Sequence, residues 1–227
     1  MAIICRKYRL LFIMTPRTAC TAIGDLLCQQ FGGEFVPSED ILDSNGRISI
    51  QKKHSTLAQL IEHNILAPEE AKSLLKVAAV RNPFDTLVSL YFKQRFKYQP
   101  LLSDPTSWVN RDPTYAKNMR YARTHSFNQW ALKKCSKQLV KTLLGCPPSM
   151  FADYTKETDV VMRYERIERD LERVFSRVGV NSKAAIPLVN RTAERPDQNY
   201  RAYYSRATAI AVSVAFRDDL KTYGYKF

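Results

Sequence analysis

A strand that leads through a polar turn directly into a helix constrains the fold of this chain more than any other feature. Residues 8–14 form a short apolar run, residues 15–18 (TPRT) form a polar turn, and apolar residues then recur at helical spacing up to Phe31. Strands joined to helices in this way are the building units of α/β proteins. We therefore predict a strand, a turn and a helix over residues 7–31.

The turn has the chemistry of an anion-binding site. The first N–H groups of a helix have no intrahelical partners, and the helix dipole places partial positive charge beside them. Arg17 adds a full charge, small residues after it allow close approach to the backbone, and the hydroxyls of Thr18 and Thr21 can each donate a hydrogen bond. The glycines and lysine of a Walker A loop are absent. A plain strand-to-helix turn with a surface arginine would show the same pattern, so both interpretations stay open.

A second junction of the same kind lies in residues 74–95. Residues 77–80 (VAAV) suit a strand buried on both faces, and Asn82 and Pro83 are typical of a helix start. Arg81 ends the strand and Ser89 lies about two turns along the helix, from where its side chain leans back toward the turn. Together they can hold a second phosphate. Alternatively, Arg81 pairs with Asp85 and Ser89 is an ordinary surface hydroxyl.

Later segments extend the alternation of strands and helices. We predict a strand over residues 159–164 and helices over residues 115–123, 127–144, 165–178 and 205–223. This order favours an α/β domain with a central, mainly parallel sheet flanked by helices, whose ligands bind beyond the carboxyl ends of the strands. The length of 227 residues suits one domain over residues 1–227.

Composition narrows the class of partner. The chain has 35 Lys and Arg against 22 Asp and Glu, a net charge of +13, which favours anionic partners such as nucleotides, acidic glycans, nucleic acid or acidic lipid. The basic residues are spread along the chain without a known nucleic-acid motif, so we expect no specific nucleic acid. The five cysteines form no CxxC pair, and the N-terminal apolar run is short. We expect a soluble, cytoplasmic protein with reduced thiols, no metal and no membrane anchor.

The two junctions together resemble the signatures of sulfotransferases that use 3′-phosphoadenosine 5′-phosphosulfate (PAPS). TPRTACTAI is similar to the family's loop for the 5′-phosphosulfate, and VRNPFDTLVSLY is similar to its R-x(7)-S unit for the 3′-phosphate. Residues 160–180 and the chain's C-terminal segments resemble further stretches of carbohydrate-type, bacterial or viral members, whereas residues 96–158 match none of them. The resemblance implies a P-loop-like nucleotide-binding fold, PAPS as co-substrate and no metal.

The resemblance also implies the residues that contact PAPS. The first loop supplies Arg17, Thr18, Ala19, Cys20, Thr21 and Ala22. The second unit supplies Arg81 and Ser89 for the 3′-phosphate, to which Arg191 or Arg201 can add a contact. Tyr200, Tyr203 and Phe84 are candidates for an adenine wall. Many members carry lysine where this chain has Arg17, and arginine does not donate a proton, so we assign Arg17 to charge stabilisation.

An acceptor hydroxyl needs a general base, and a side chain that is neutral near pH 7 suits that task. His54 lies between the two signatures, where related sulfotransferases often place a catalytic histidine, although a solvated histidine in a basic loop would look the same. We expect structural roles for His63 and His125. If the base is a carboxylate, Glu34 and Glu39 are the candidates.

We therefore predict transfer of a sulfuryl group from PAPS to the hydroxyl of an acceptor, a carbohydrate or small metabolite. Residues 96–158 are expected to shape the acceptor pocket. One alternative is a P-loop-type nucleotide or small-molecule kinase, against which the missing Walker A residues and the lack of a Mg²⁺-binding aspartate after a strand both count. The other is a non-enzymatic, basic nucleic-acid-binding protein.

Overall fold

The computed structural model describes residues 2–44, 46, 48–50, 53–146, 148–181, 186 and 195–227. The chain divides into two compact units. Unit 1 comprises Met1–Arg81 and Phe151–Asn190, and unit 2 comprises Asn82–Met150 and Arg191–Phe227. That residues 1–227 form a single sulfotransferase domain stays a prediction.

The strands lie in unit 1. They are β1 (Ala2–Cys5), β2 (Leu10–Ile13), β3 (Glu34–Val36), β4 (Ile41–Leu42), β5 (Ile48–Ile50), β6 (Leu75–Val80) and β7 (Val160–Arg163). Five of them form one sheet in the order β3-β1-β2-β6-β7, and β4 pairs with β5. β2, β6 and β7 are mutually parallel, while β1 runs antiparallel to both β2 and β3. The predicted central, mainly parallel sheet is therefore confirmed.

The helices follow the predicted segments closely. They are α1 (Cys20–Phe31), α2 (Leu57–Glu62), α3 (Pro68–Ser73), α4 (Pro83–Phe92), α5 (Pro113–Thr124), α6 (Phe127–Leu143), α7 (Ala152–Thr155), α8 (Ile167–Arg177), α9 (Arg206–Ala215) and α10 (Arg217–Tyr223). None of the helices in the described part of the chain is both long enough and apolar enough to cross a membrane.

Alternating side chains of the sheet bury its two faces under different helices. One face contributes Ile3, Leu10, Phe12 and Val77 to a core with α1 and α8. The other face contributes Ile4, Leu11, Ile13 and Ala78 to a core with α2 and α3. Because successive strand residues point to opposite faces, both layers follow from unbroken apolar runs such as residues 10–14.

Unit 2 has its own apolar core, built from α4, α6 and α9. The predicted single helix over residues 205–223 was wrong at Phe216, which has φ −120° and separates α9 from α10. The Asp219 carboxylate on α10 accepts hydrogen bonds from the Met150 N–H (2.7 Å) and from the Ser149 hydroxyl. These bonds across the chain fix the orientation of α10, which the local helical pattern does not encode.

Candidate functional site

The turn between β2 and α1 presents the start of a helix at the carboxyl end of a central strand. α1 begins after Ala19 with no acidic residue in its first turn, and no side chain of the described residues caps its N-terminus. The N–H groups of the first turn are therefore able to bind an anion. The Thr18 hydroxyl is buried and donates to the Thr15 carbonyl (2.9 Å), so it stabilises the turn itself.

Two residues of this turn have strained backbone conformations. Arg17 has φ 70° and Ala19 has φ 60°, a left-handed conformation that costs a residue with a side chain about 1 kcal/mol. The guanidinium of Arg81 donates from Nη1 to the Arg17 carbonyl (3.1 Å) and so helps to hold that conformation. Strain of this kind persists where the surrounding structure enforces it, and it is enriched at ligand-binding sites.

His54 is held against the same strand end. Its Nδ1 lies 2.7 Å from the Met14 carbonyl oxygen, and a carbonyl oxygen only accepts. Nδ1 therefore carries the proton, and Nε2 of the neutral ring keeps a lone pair. Burial lowers the pKa of His54 to about 4, against the opposing effect of the Met14 bond and with the charges of Lys53 and Arg17 adding to the shift. The ring is neutral near pH 7, and an anion bound at the turn would raise its pKa.

A cavity of about 320 Å³ lies beside His54 and is also lined by Ser49, Thr56, Asp153 and Tyr154. An adjoining cavity of about 250 Å³ shares Thr56, Asp153 and Tyr154 with it. Together they offer room for a small acceptor group next to an unprotonated imidazole nitrogen.

Electrostatic interactions connect this cavity with the start of α1. Burial raises the pKa of Tyr154 to about 12, and charge on Asp153 or Cys20 adds to that shift. Burial also raises the pKa of Cys20, the first residue of α1, against the opposing effect of Arg17 and Lys53. The Tyr154 phenol consequently stays protonated and can donate a hydrogen bond to a group in the cavity.

Arg81 lies buried between the turn and an aromatic ring. Besides its bond to the Arg17 carbonyl, its guanidinium carbon is 3.9 Å from the centroid of the Tyr164 ring. This distance is typical of a cation–π interaction, which fixes the plane of the guanidinium.

Asp170 positions Tyr164. Its buried carboxylate accepts from the Arg163 N–H (2.9 Å) and from Arg166 Nε (3.0 Å). Arg163 directly precedes the short 3₁₀ turn after β7, and Arg166 is the last residue of that turn. The segment RYERIERD therefore forms a strand end, a fixed turn and a helix start. This segment is part of the sequence resemblance described above, which predicts no role in the site for Tyr164.

Other predicted binding residues lie in unit 2 or outside the described residues. Ser89 is buried on α4. Phe84 is fully buried and stacks on Tyr200 with ring centroids 6.3 Å apart, while the Tyr203 hydroxyl donates to the Asp197 carbonyl (2.9 Å). These contacts are those of core packing within unit 2.

Two further residues named from the sequence, Arg191 and Asp85, belong to unit 2. Arg191 lies outside the described residues. The sequence offers Asp85 as an alternative partner of Arg81. In the structure, the Asp85 carboxylate accepts a hydrogen bond from Arg195 Nη1 (2.7 Å) in a mostly buried ion pair.

The alternative bases lie elsewhere. His63 is an exposed residue at the end of α2, and the ring of His125 stacks on Tyr121 at 3.6 Å after the end of α5. Glu34 lies in β3 opposite Ile4, and Glu39 is exposed in the loop that follows. Within the ranges that the structure describes, no cluster of three or more His, Cys, Asp or Glu has the arrangement of a metal site.

The chain matches a family of known proteins over nearly its whole length. The model of the family described as "Sulfotransferase family" matches residues 1–226, which includes residues 96–158 that sequence analysis left unmatched. Neither a search of curated proteins nor a search of solved structures returns a match.

Proposed function

The chain belongs to the sulfotransferase family, and we propose that it transfers a sulfuryl group from PAPS to an acceptor hydroxyl with His54 as the general base. The observation that carries the proposal is the bond between His54 Nδ1 and the Met14 carbonyl (2.7 Å), which leaves Nε2 unprotonated in a ring that lines a cavity. An acceptor hydroxyl in that cavity can give its proton to Nε2.

The residues of the β2–α1 turn fit the sulfated end of PAPS. Bound there, PAPS supplies an SO₃ group on a phosphate that leaves as the 5′-phosphate of 3′-phosphoadenosine 5′-phosphate (PAP). Arg17 and the N–H groups of Cys20, Thr21 and Ala22 stabilise negative charge on that phosphate. The S–O bond to the phosphate breaks as the acceptor oxygen bonds to sulfur, and the acceptor proton passes to His54.

Arg81 is assigned to the 3′-phosphate. Its guanidinium is preoriented by Tyr164 and by the Arg17 carbonyl, which supports a role in binding a group of fixed geometry. The contributions of Ser89 and Arg191 rest on the sequence motifs. We propose a carbohydrate or small metabolite as the acceptor, since the cavity beside His54 is small and lined by polar side chains.

The test is release of PAP from PAPS with chondroitin or 2-naphthol as the acceptor, followed by chromatography. His54→Asn keeps an N–H donor for the Met14 carbonyl but removes the base, so we expect turnover to fall by a factor on the order of a hundred or more. PAP affinity should be unchanged, and His63→Asn is the matched control that should keep full activity. Wild-type turnover in His54→Asn would overturn the role of His54, and equal binding of ADP, ATP and PAP would favour the kinase alternative.

A further inference from the structure

Positive charge is concentrated in unit 2. This unit contains 18 of the 35 basic residues but 7 of the 22 acidic ones. The basic residues are divided almost equally between the two units, as the sequence indicates, and the excess of positive charge in unit 2 arises because acidic residues are scarce there. The imbalance is strongest in α5, α6 and α9, whose sequences contain no Asp or Glu.

All but one of the basic side chains of these three helices are exposed. Seven of them reach solvent: Lys117, Arg120, Arg123, Lys133, Lys137, Lys141 and Arg206. Across the described residues, the ion pairs of unit 2 involve other arginines, Arg195 and Arg217, and none involves these seven. The spacing of four residues puts Lys133, Lys137 and Lys141 along one side of α6. The Lys133 ammonium lies 3.4 Å from the centroid of the Tyr121 ring, so this side of α6 meets α5.

Large aliphatic side chains are exposed beside these lysines. Val140 on α6 is 56% exposed and Leu144, directly after α6, is 75% exposed, while Ile210 on α9 is 56% exposed. Leu132 on α6 and Val214 on α9 extend the same feature. An exposed aliphatic residue is ordinary when it is alone, but five on or directly after two neighbouring helices indicate an interaction surface.

The exposed aliphatic side chains belong to two helices that lie next to each other. α6 and α9 begin side by side, because the Ser205 N–H donates to Asn128 Oδ1 (2.9 Å). Both helices pack their inner faces into the same core with α4, so the exposed side chains of each helix point away from that core. We call the exposed surface of these two helices the α6–α9 face; it comprises Leu132, Val140, Leu144, Ile210, Val214, Lys133, Lys137, Lys141 and Arg206.

We propose that the α6–α9 face binds the surface of a membrane that contains anionic lipids. Exposed aliphatic side chains between lysines are the pattern of interfacial binding, in which the aliphatic groups enter the acyl boundary and the ammonium groups stay among the headgroups. The charge of the face complements acidic lipid, and its aliphatic residues leave water only if the partner is apolar. The proposal does not depend on the transferred group.

Other classes of partner account for either the basic residues or the aliphatic residues of the α6–α9 face, but not for both. Nucleic acid or an acidic polysaccharide would pair with the basic residues but leave the aliphatic ones in water. A second copy of the chain would cover the aliphatic residues but set the cations of one copy against those of the other across a twofold axis.

The test is flotation of the full chain with vesicles of phosphatidylcholine alone and of phosphatidylcholine mixed with phosphatidylserine. We expect binding to the mixed vesicles only, with an affinity that falls as salt is raised. Each basic residue near an acidic surface strengthens binding roughly fivefold, so the triple variant Lys133→Gln, Lys137→Gln, Lys141→Gln should bind on the order of a hundredfold more weakly. The double variant Val140→Ser, Ile210→Ser should also bind more weakly but keep the full salt dependence.

A charge-matched control is the triple variant Lys7→Gln, Arg169→Gln, Arg177→Gln, which changes exposed residues of unit 1 and should bind like the parent chain. Thermal unfolding of every variant checks that it is folded. Equal binding of both vesicle types, or equal loss in both triple variants, would overturn the proposal. Binding to heparin or DNA without binding to either vesicle type would also overturn it. The same holds for a dimer of the parent chain that the double variant Val140→Ser, Ile210→Ser does not form.

Discussion

Replacing His54 with asparagine should remove a large part of the acid sensitivity of the fold. The pKa of His54 is lowered from its ordinary 6.5 to about 4 by burial. The unfolded chain therefore binds a proton at this ring below pH about 6.5, whereas the folded chain does so only below about 4. The contribution of His54 to the free energy of unfolding is therefore fully present above pH about 6.5 and is lost as the pH falls toward 4. The full loss is about 3 kcal/mol, since one pKa unit corresponds to about 1.4 kcal/mol.

The assay is urea unfolding of the parent chain and of His54→Asn at a series of pH values between neutrality and pH about 4. Asparagine does not titrate, and its side-chain N–H can still donate to the Met14 carbonyl, so the difference between the two stability curves isolates the imidazole. We expect the parent chain to lose about 3 kcal/mol more than the variant over this range. His63→Asn makes the same chemical change at an exposed position and should follow the parent. Parallel curves for the parent and His54→Asn would refute the buried, neutral imidazole on which the proposed base depends.

Three further predictions concern the surroundings of the site. Ala19→Gly should raise the free energy of unfolding by about 0.5–1 kcal/mol in urea titrations, because glycine adopts φ 60° without the cost that alanine bears; a destabilised variant would show that the turn is not strained. Tyr164→Leu should weaken PAP binding about fivefold in calorimetry while Tyr164→Phe does not, since either aromatic ring can stack on the Arg81 guanidinium; equal affinities for both variants would remove Tyr164 from the site. Asp170→Asn should lower the melting temperature and cost about 2 kcal/mol, because its buried carboxylate binds Arg166 and the Arg163 N–H; an unchanged melting temperature would contradict that role.

The local parts of the fold were predictable from sequence because their causes are local. Thr56 caps α2 with a complete capping box, Asn82 caps α4, and Gly32 ends α1 in the left-handed conformation. Each of these follows from the chemistry of a few consecutive residues. β1 was missed because residues 2–5 are too few and too uniformly apolar to show a period, and its place in the sheet depends on pairing with β2 and β3.

The candidate site was only partly predictable, because some of its contacts join residues that are far apart in the sequence. Arg17, His54 and Arg81 stand in recognisable sequence contexts, and the structure brings them together at one edge of the sheet. Tyr164 and Tyr154 belong to the surroundings of the site through contacts with residues far away in sequence. The Thr18 hydroxyl donates to the Thr15 carbonyl because of the geometry of the turn, which cannot be read from the residue types alone.

The most direct test of the central claim is calorimetric titration of the parent chain and of Arg81→Ala with PAP and with ADP. If the β2–α1 turn and Arg81 form the PAPS site, PAP will bind the parent chain tightly, ADP will bind far more weakly, and Arg81→Ala will lose the preference for PAP. Equal affinity for PAP and ADP in the parent chain, or an unchanged preference in Arg81→Ala, would contradict the account.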